Sequence, residues 1–370
     1  MNEGTLHARG DGERVGLPGA CPDRVDLKGL DLDGMVRFVA ELGWQRFRAV
    51  QLFKWVFQKD VTSFDEMTNL SREARRELAR VACVSRMEPS RVVDSSDGSR
   101  KLVFELVDGL RIESVLIPEE ERTTVCVSSQ VGCPLGCKFC VTGQSGFSRN
   151  LTVAEIVGQI QAVERLLDEG RRVSNVVVMG MGEPLMNMDG LVPALRILLR
   201  EHGFNLSHRR ITVSTAGIVP GMERLGRELP VNLAVSLNAT TEETRRALMP
   251  VSRKYSLEAV VEACRRYPVG QRKKITFEYV LLAGVNDTEA DAARLVRLLR
   301  GVKAKVNLIP YNEAPGSEYR TPSFDTVKAF QDYLVKRRIH AAVRWSRGRD
   351  IGAACGQLGR AELVGGRASV

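Results

Sequence analysis

The feature that most limits the fold is an alternation that begins near residue 123. Segments 123–129, 173–179, 210–215, 231–237, 275–281 and 305–309 are mostly rich in β-branched residues and read as strands. Segments 153–167, 191–200, 257–266 and 290–299, between them, carry helical periodicity. Thr152 with Glu155, and Thr240 with Glu243, have the spacing of capping boxes. Six β-α units in series predict parallel strands joined by right-handed crossovers. The expected fold is α/β, a partial (β/α)6 TIM-like barrel, short of the eight units of a closed one. A doubly wound open sheet is the alternative. Either places a site at the carboxyl ends of the strands.

The 370 residues leave room beside such a barrel, and 44% hydrophobic residues can fill a sizeable core. Residues 1–24 are glycine-rich and mixed in charge, which predicts disorder, Cys21 included. Residues 25–90 read as a helical accessory domain: Leu32, Met35, Val36 and Val39, then Val50, Leu52, Phe53, Val56 and Phe57, recur at helical spacing, and a third helix spans 72–81. Residues 91–122 hold a β-hairpin, because runs 101–107 and 110–117 flank Asp108-Gly109. The barrel is expected over 123–345 and a C-terminal tail over 346–370.

The loop after the first barrel strand carries Cys133, Cys137 and Cys140 as C-x3-C-x2-C, loosened by Gly132, Pro134 and Gly136. Three thiolates this close can converge on one metal centre. Iron–sulfur clusters are held by cysteine thiolates, normally four for a four-iron cluster, so three ligands leave one iron open for chemistry. Structural zinc wants four closed ligands. The four histidines, His7, His202, His208 and His340, all lie away from the loop, so a zinc site would need a ligand from afar. The other strand ends collect small and polar residues: Met179-Gly-Met-Gly-Glu-Pro184, Ser214-Thr-Ala-Gly217, Ser236-Leu-Asn238 and Pro310-Tyr-Asn312. Each alone suits a turn; together at one rim they suit a ligand.

With these motifs in view, the chain resembles the radical S-adenosylmethionine (SAM) superfamily. Further stretches, Phe47-Arg-Ala-Val-Gln-Leu-Phe-Lys-Trp55, Cys126-Val-Ser-Ser-Gln-Val-Gly-Cys133, Asn307-Leu-Ile-Pro310 and Ala354-Cys-Gly-Gln-Leu358, resemble its RlmN family of dual-specificity RNA adenine-C2 methyltransferases, from roughly Leu27 to Leu358. The resemblance implies a [4Fe-4S] cluster on Cys133, Cys137 and Cys140. It implies SAM on the open iron, contacted by Gly182, Glu183, Ser214, Ser236, Leu237, Asn238 and Asn312; Asn238 stands where some members have histidine. It implies methylation of an adenosine in the peptidyl-transferase region of 23S rRNA and of one beside the anticodon in some tRNAs.

The resemblance also gives roles to Cys355 and Cys126, otherwise a tail thiol and a small strand residue. Adenine C2 is electron-poor, so direct transfer of a methyl cation fails. In the implied route Cys355 takes a methyl group from one SAM. A radical from a second SAM removes hydrogen from that methyl, and the methylene radical adds to C2. Loss of an electron and the C2 proton leaves a protein–RNA thioether, which Cys126 resolves by forming a disulfide with Cys355. Glu113 matches the family's proton acceptor, although alternation on a hairpin strand would turn a charged residue outward. Cys83 and Cys264 read as inert thiols in apolar helical patterns.

The formal charge, 54 − 45 = +9, comes with basic clusters at Arg209-Arg210, Arg245-Arg246, Arg253-Lys254, 272–274 and 336–338, continuing to Arg344, Arg347 and Arg349. A polyanion partner or a solvated helix surface explains them equally. In the accessory domain Arg46, Arg48 and Lys54, with Trp44, Phe53 and Trp55, offer phosphate and stacking contacts, with a core role as the alternative for the tryptophans. No apolar run approaches a membrane span, and no signal-like segment opens the chain. A cytoplasmic monomer is expected, with 23S rRNA and tRNA as partners and a flavodoxin-like or ferredoxin-like electron donor. Two other readings stand: a Cfr-type adenine-C8 methyltransferase, and a non-catalytic RNA-binding iron–sulfur protein.

Overall fold

Seven parallel strands follow one another across the sheet in chain order, without reversal: β4 (Thr123–Cys126), β5 (Asn175–Val178), β6 (Ile211–Thr215), β7 (Asn232–Ser236), β8 (Ile275–Leu281), β9 (Ala304–Pro310) and β10 (His340–Val343). A doubly wound sheet reverses its order at a switch point; this one does not, so it is a partial barrel. β4 and β10 do not pair, and the barrel is open. β10 adds a seventh strand to the six expected; its parallel pairing runs from Lys305↔His340 to Leu308↔Val343. The computed structural model describes residues 23–270 and 273–359, so the expected disorder of the first residues, Cys21 and the last part of the tail lie outside it.

The expected hairpin is a three-stranded meander fused to the barrel. β1 (Arg91–Asp94), β2 (Arg100–Glu105) and β3 (Arg111–Pro118) pair antiparallel, and β3 pairs antiparallel with β4. Leu106 N–H bonds Leu110 O at 2.8 Å, leaving a three-residue loop in which Gly109 takes φ +79°. That is the three-residue hairpin with a left-handed glycine, and it explains Asp108-Gly109 better than a two-residue turn.

Helices α1 (Leu32–Glu41), α2 (Phe47–Phe57) and α3 (Arg72–Val81) form the N-terminal unit. Asp31 caps α1 through Gly34 N–H (2.8 Å) and Ser71 caps α3 through Ala74 N–H (3.2 Å). Met35, Leu52, Phe53 and Val56 join the same buried cluster as the barrel strands. Phe53 is 0% exposed, with its ring 4.6 Å from that of Phe57. It is core and cannot stack on a base. Trp44 and Trp55 are half-buried and donate to Glu77 and Asn69. Cys83 is not an inert helical thiol: it lies on the short strand Ala82–Cys83 and is disulfide-bonded. Cys264 is a buried core residue.

The barrel helices start where their caps dictate. Thr152 and Glu155 form a capping box on α4 (Val153–Glu164). Downstream, α5 (Met188–Leu199) and α6 (Val219–Glu228) precede α7 (Glu242–Leu248), which is capped by Thr241 rather than Thr240; Thr240 instead donates to Asp291 at 2.7 Å. α8 (Leu257–Arg266), α9 (Glu289–Leu298) and α10 (Phe324–Lys336) complete the outer layer.

Gln159, fully buried on α4, joins helix, meander and barrel. Its Oε1 accepts from Ser114 Oγ (2.6 Å) and Ser128 N–H (2.8 Å), while its Nε2 donates to Ser128 O (3.1 Å) and Glu155 O (3.0 Å). Gln159→Leu leaves buried partners unpaired, each at about 1–3 kcal/mol. The variant should lose about 3 kcal/mol in denaturant titration; a loss under about 1 kcal/mol would show that the network contributes little.

Candidate active site

The three-cysteine loop is closed at its base. Gln130–Gly132 pairs antiparallel with Phe147–Asn150, and Cys133 N–H bonds Gly146 O at 2.7 Å. Gly132 (φ +72°) is obligatory there, since a Cβ would sit 1.9 Å from Gly146 O. Lys138 N–H, bonded to Leu248 O at 2.9 Å, ties the loop to the end of α7. Cys133, Cys137 and Cys140 are free thiols that keep some solvent contact although protein crowds round them. Burial pushes the Cys133 thiol up to about 12, and it raises Cys137 and Cys140 too, with neighbouring thiols adding to the effect at Cys133 and Cys137. Three such thiols favour a cationic centre that would bind them as thiolates. Among the described residues no three His, Cys, Asp or Glu side chains converge on one ion. A cubane cluster does not require that, because each thiolate takes its own iron.

The neighbouring rim is built onto this loop. Gly182 (φ +100°) lies against Gln130, where a Cβ would come within 2.5 Å of the Gln130 Cβ. Gln130 Oε1 accepts from Glu183 N–H at 2.8 Å. The buried Glu183 carboxylate accepts from Leu185 N–H (3.1 Å) and Ala216 N–H (2.7 Å). Burial pushes its pKa up to about 7 against these bonds, so an arriving ammonium would hold it ionised. Ser214 and Ser236, on adjacent strands, both donate to Glu278 Oε2, at 3.1 and 3.4 Å. Leu237 is buried. Asn238 is buried at φ +56°, and its amide serves Val280 N–H and Met249 Sδ within the protein.

Two comparisons give this arrangement a family. Residues 25–84 match the ribosomal RNA large subunit methyltransferase N-terminal domain, and residues 127–296 match the radical SAM superfamily. The chain is 54% identical over 334 residues to the dual-specificity RNA methyltransferase RlmN of Geobacter sulfurreducens, spanning 90% of this chain and 92% of that one. It is 53% identical over 337 residues to the protein of the same name from Pelobacter propionicus, spanning 91% and 96%. The chain belongs to the RlmN family. Its structure matches a radical SAM methyltransferase from Sphaerobacter thermophilus with TM-score 0.85 and 45% identity, over 90% of this chain and 99% of that one.

In this RlmN family member the described part of the tail, residues 346–359, is bound to the barrel mouth. Asn312 Nδ2 donates to Cys355 O (3.1 Å) and Ser346 Oγ (2.8 Å). Val141 N–H bonds Gly356 O (2.8 Å), and Thr142 Oγ1 bonds Leu358 O (2.7 Å). Glu113 is 1% exposed, contrary to the outward alternation. Its Oε2 accepts from Gly359 N–H at 2.8 Å, and Lys101 Nζ lies 3.5 Å from Oε1. Cys355 is open to solvent at the mouth although protein crowds round its sulfur, and Cys126, partly exposed at the end of β4, lies close enough to interact with it electrostatically. The structure therefore brings the three loop cysteines, Glu183, Ser214, Ser236, Asn312, Cys126 and Cys355 to one end of the barrel, with Glu113 beneath the tail. Leu237 and Asn238 are packed behind them.

Sequence reasoning passed over Glu278, which interacts electrostatically with Cys126 and Cys355. The signal was present: a carboxylate inside the buried strand Ile-Thr-Phe-Glu-Tyr-Val-Leu needs partners. The dense surroundings first, then Glu278, push the Cys355 thiol up to about 11. The thiolate is the nucleophile, so its share rises with pH throughout the range below that value. Alkylation of Cys355 by a small electrophile such as iodoacetamide should therefore accelerate by about tenfold per pH unit between roughly pH 7 and 9, read as mass gain on the Cys355 peptide. A flat profile would show that the thiolate fraction does not limit the step.

Proposed function

We propose that this chain methylates C2 of adenosine in 23S rRNA and tRNA, with Cys355 carrying the carbon and Cys126 releasing it. The observation that carries the reading is the docking of Cys355 at the barrel mouth, within electrostatic reach of Cys126 on β4. A [4Fe-4S] cluster and SAM are its cofactors. The donor set fits: three thiols of one closed loop for the cluster, and Glu183 beside Gly182 for the SAM amino group. Ser214, Ser236 and Asn312 lie at the same rim, with Leu237 and Asn238 shaping its wall. Together these groups supply, when bound, a 5′-deoxyadenosyl radical that can take hydrogen from an unactivated methyl group.

The chain's own residues do the rest. The Cys355 thiolate attacks the methyl carbon of SAM: the new S–CH3 bond forms as the methyl–sulfonium bond breaks, S-adenosylhomocysteine leaves, and Cys355 becomes an S-methyl thioether. Asn312 fixes the Cys355 backbone, so the methyl group points to one place. Glu113, held by Gly359 N–H and beside Lys101, would accept the C2 proton. Cys126 then attacks the Cys355 sulfur: an S–S bond forms, the S–C bond breaks, and the electron pair left on carbon takes a proton to complete the methyl group. Burial raises the Cys126 pKa, so the attack needs a proton acceptor nearby. An external flavodoxin-like or ferredoxin-like donor supplies electrons, and the protein acts as a monomer.

RNA would approach across the mouth. Arg344, Arg347 and Arg349 are exposed beside the tail, and Phe324 and Trp345 form an exposed stacked pair with ring centroids 6.4 Å apart. Arg48 lies over the exposed Phe47 ring on the accessory unit. Exposed aromatic and guanidinium planes suit unstacked bases and phosphates. Its site of action would be the cytoplasm, where rRNA and tRNA are found; among the described residues no helix is long and apolar enough to cross a membrane.

Anaerobic incubation of the cluster-loaded protein with SAM, dithionite and deproteinised rRNA or tRNA should give 2-methyladenosine and 5′-deoxyadenosine. Only 8-methyladenosine would reassign the position attacked, and absence of 5′-deoxyadenosine would reject the radical route. Cys126→Ala should still methylate Cys355 but accumulate protein crosslinked to RNA on denaturing gels; clean turnover would refute the resolving role.

A further inference from the structure

Arg245 stands in a basic cluster of the sequence, yet on α7 it is 0% exposed and cannot meet RNA. Its Nη1 donates to Ser252 Oγ (3.0 Å) and Tyr255 O (3.2 Å), and its Nη2 to Ala216 O (2.6 Å). Its Nε has no partner. All three acceptors are neutral. Glu242, on the same helix, is linked to it through Ser252 Oγ, which donates to Glu242 Oε1 at 2.8 Å. That carboxylate is also engaged by Leu257 N–H (2.7 Å) and Arg246 Nε (3.2 Å). A buried charge without a direct counter-ion is strongly disfavoured, and a guanidinium does not escape by losing its proton.

The other partner within electrostatic reach is Cys137, a neutral thiol on its own that becomes an anion once it ligates a metal centre. The geometry holds them near each other. Cys137 packs against the cluster that contains Ala216, Leu248 and Met249, and Lys138 N–H is bonded to Leu248 O, one helical turn beyond Arg245. On its other side Arg245 grips Ala216, whose N–H is held by Glu183. One fixed cation thus braces both the cluster loop and the rim strand.

We propose that Arg245 is the buried counter-charge of the iron–sulfur centre, a positioning residue that balances the negative charge of the thiolates and favours one-electron reduction of the cluster. The inference rests on the reading that Cys133, Cys137 and Cys140 carry that cluster. When an external one-electron donor reduces the centre, its net charge becomes more negative by one, and a fixed cation stabilises that state. Lysine would keep the charge but lose the planar fork; methionine and glutamine would lose the charge.

The test uses the full chain, reconstituted anaerobically, with iron and sulfide content measured and the reduced cluster titrated by electron paramagnetic resonance against a graded reductant. Arg245→Met and Arg245→Gln should each lower the reduced-to-oxidised ratio at a fixed potential by roughly tenfold, a shift of about 59 mV for one electron. Arg245→Lys should stay near the wild-type potential. Neutral variants that load a cluster and titrate as wild type would overturn the proposal. If both neutral variants fail to load while Arg245→Lys loads, the requirement for charge is supported. Failure of all three would overturn it in favour of a purely structural role. A wild-type protein that takes up no [4Fe-4S] cluster would instead reject the reading on which the inference rests.

Discussion

Residues 348–359 reach the barrel mouth through bonds drawn from distant parts of the chain, and the chemistry depends on them. Asp97 Oδ2 accepts from Gly348 N–H at 2.8 Å, Asn312 holds Cys355 O, Thr142 holds Leu358 O, and Glu113 holds Gly359 N–H. Without these contacts Cys355 would be a thiol on a free tail, 355 − 126 = 229 positions from Cys126. Each bond contributes only about 1 kcal/mol net. Collectively they order the segment, yet no single one is strong enough to prevent local opening. That balance suits the succession of partners proposed for Cys355.

The barrel mouth also gathers many acidic groups in little space. Three loop thiols, Glu183, Glu278, Cys126 and Cys355 lie at one end of the barrel, and burial raises the pKa of every one. Such a site is close to neutral until cations enter it. A metal centre, an ammonium and a sulfonium each relieve that state, so ligand binding and ionisation are coupled throughout the rim. Ser214 and Ser236 illustrate this: each spends its proton on Glu278, so what they offer a ligand is lone pairs.

Much of this was legible in the sequence. The parallel strands announced themselves through β-branched runs, and Gly132 at the base of the cysteine loop stands where close backbone contact demands it. What stayed hidden depended on long-range packing. β10 (His340–Val343) is short and follows a basic run, so it shows little apolar pattern. Glu113 faces inward because the tail and Lys101 cover it, which alternation along one strand cannot reveal. Arg245 looked like half of a surface pair, but a seven-residue helix presents one of two adjacent arginines to the core. Phe53 looked available for stacking until α2 packed against the barrel. Thr240 had the spacing of a cap, yet Asp291, 51 positions later, claims its hydroxyl.

The central claim is that Cys126 and Cys355 act as one pair across the barrel mouth. Peptide mapping by mass spectrometry after a single turnover on RNA, without added thiol, tests it most directly. The account predicts a Cys126–Cys355 disulfide that forms only when RNA is methylated. A methylated product with both cysteines still free, or a disulfide joining either one to another cysteine, would contradict it.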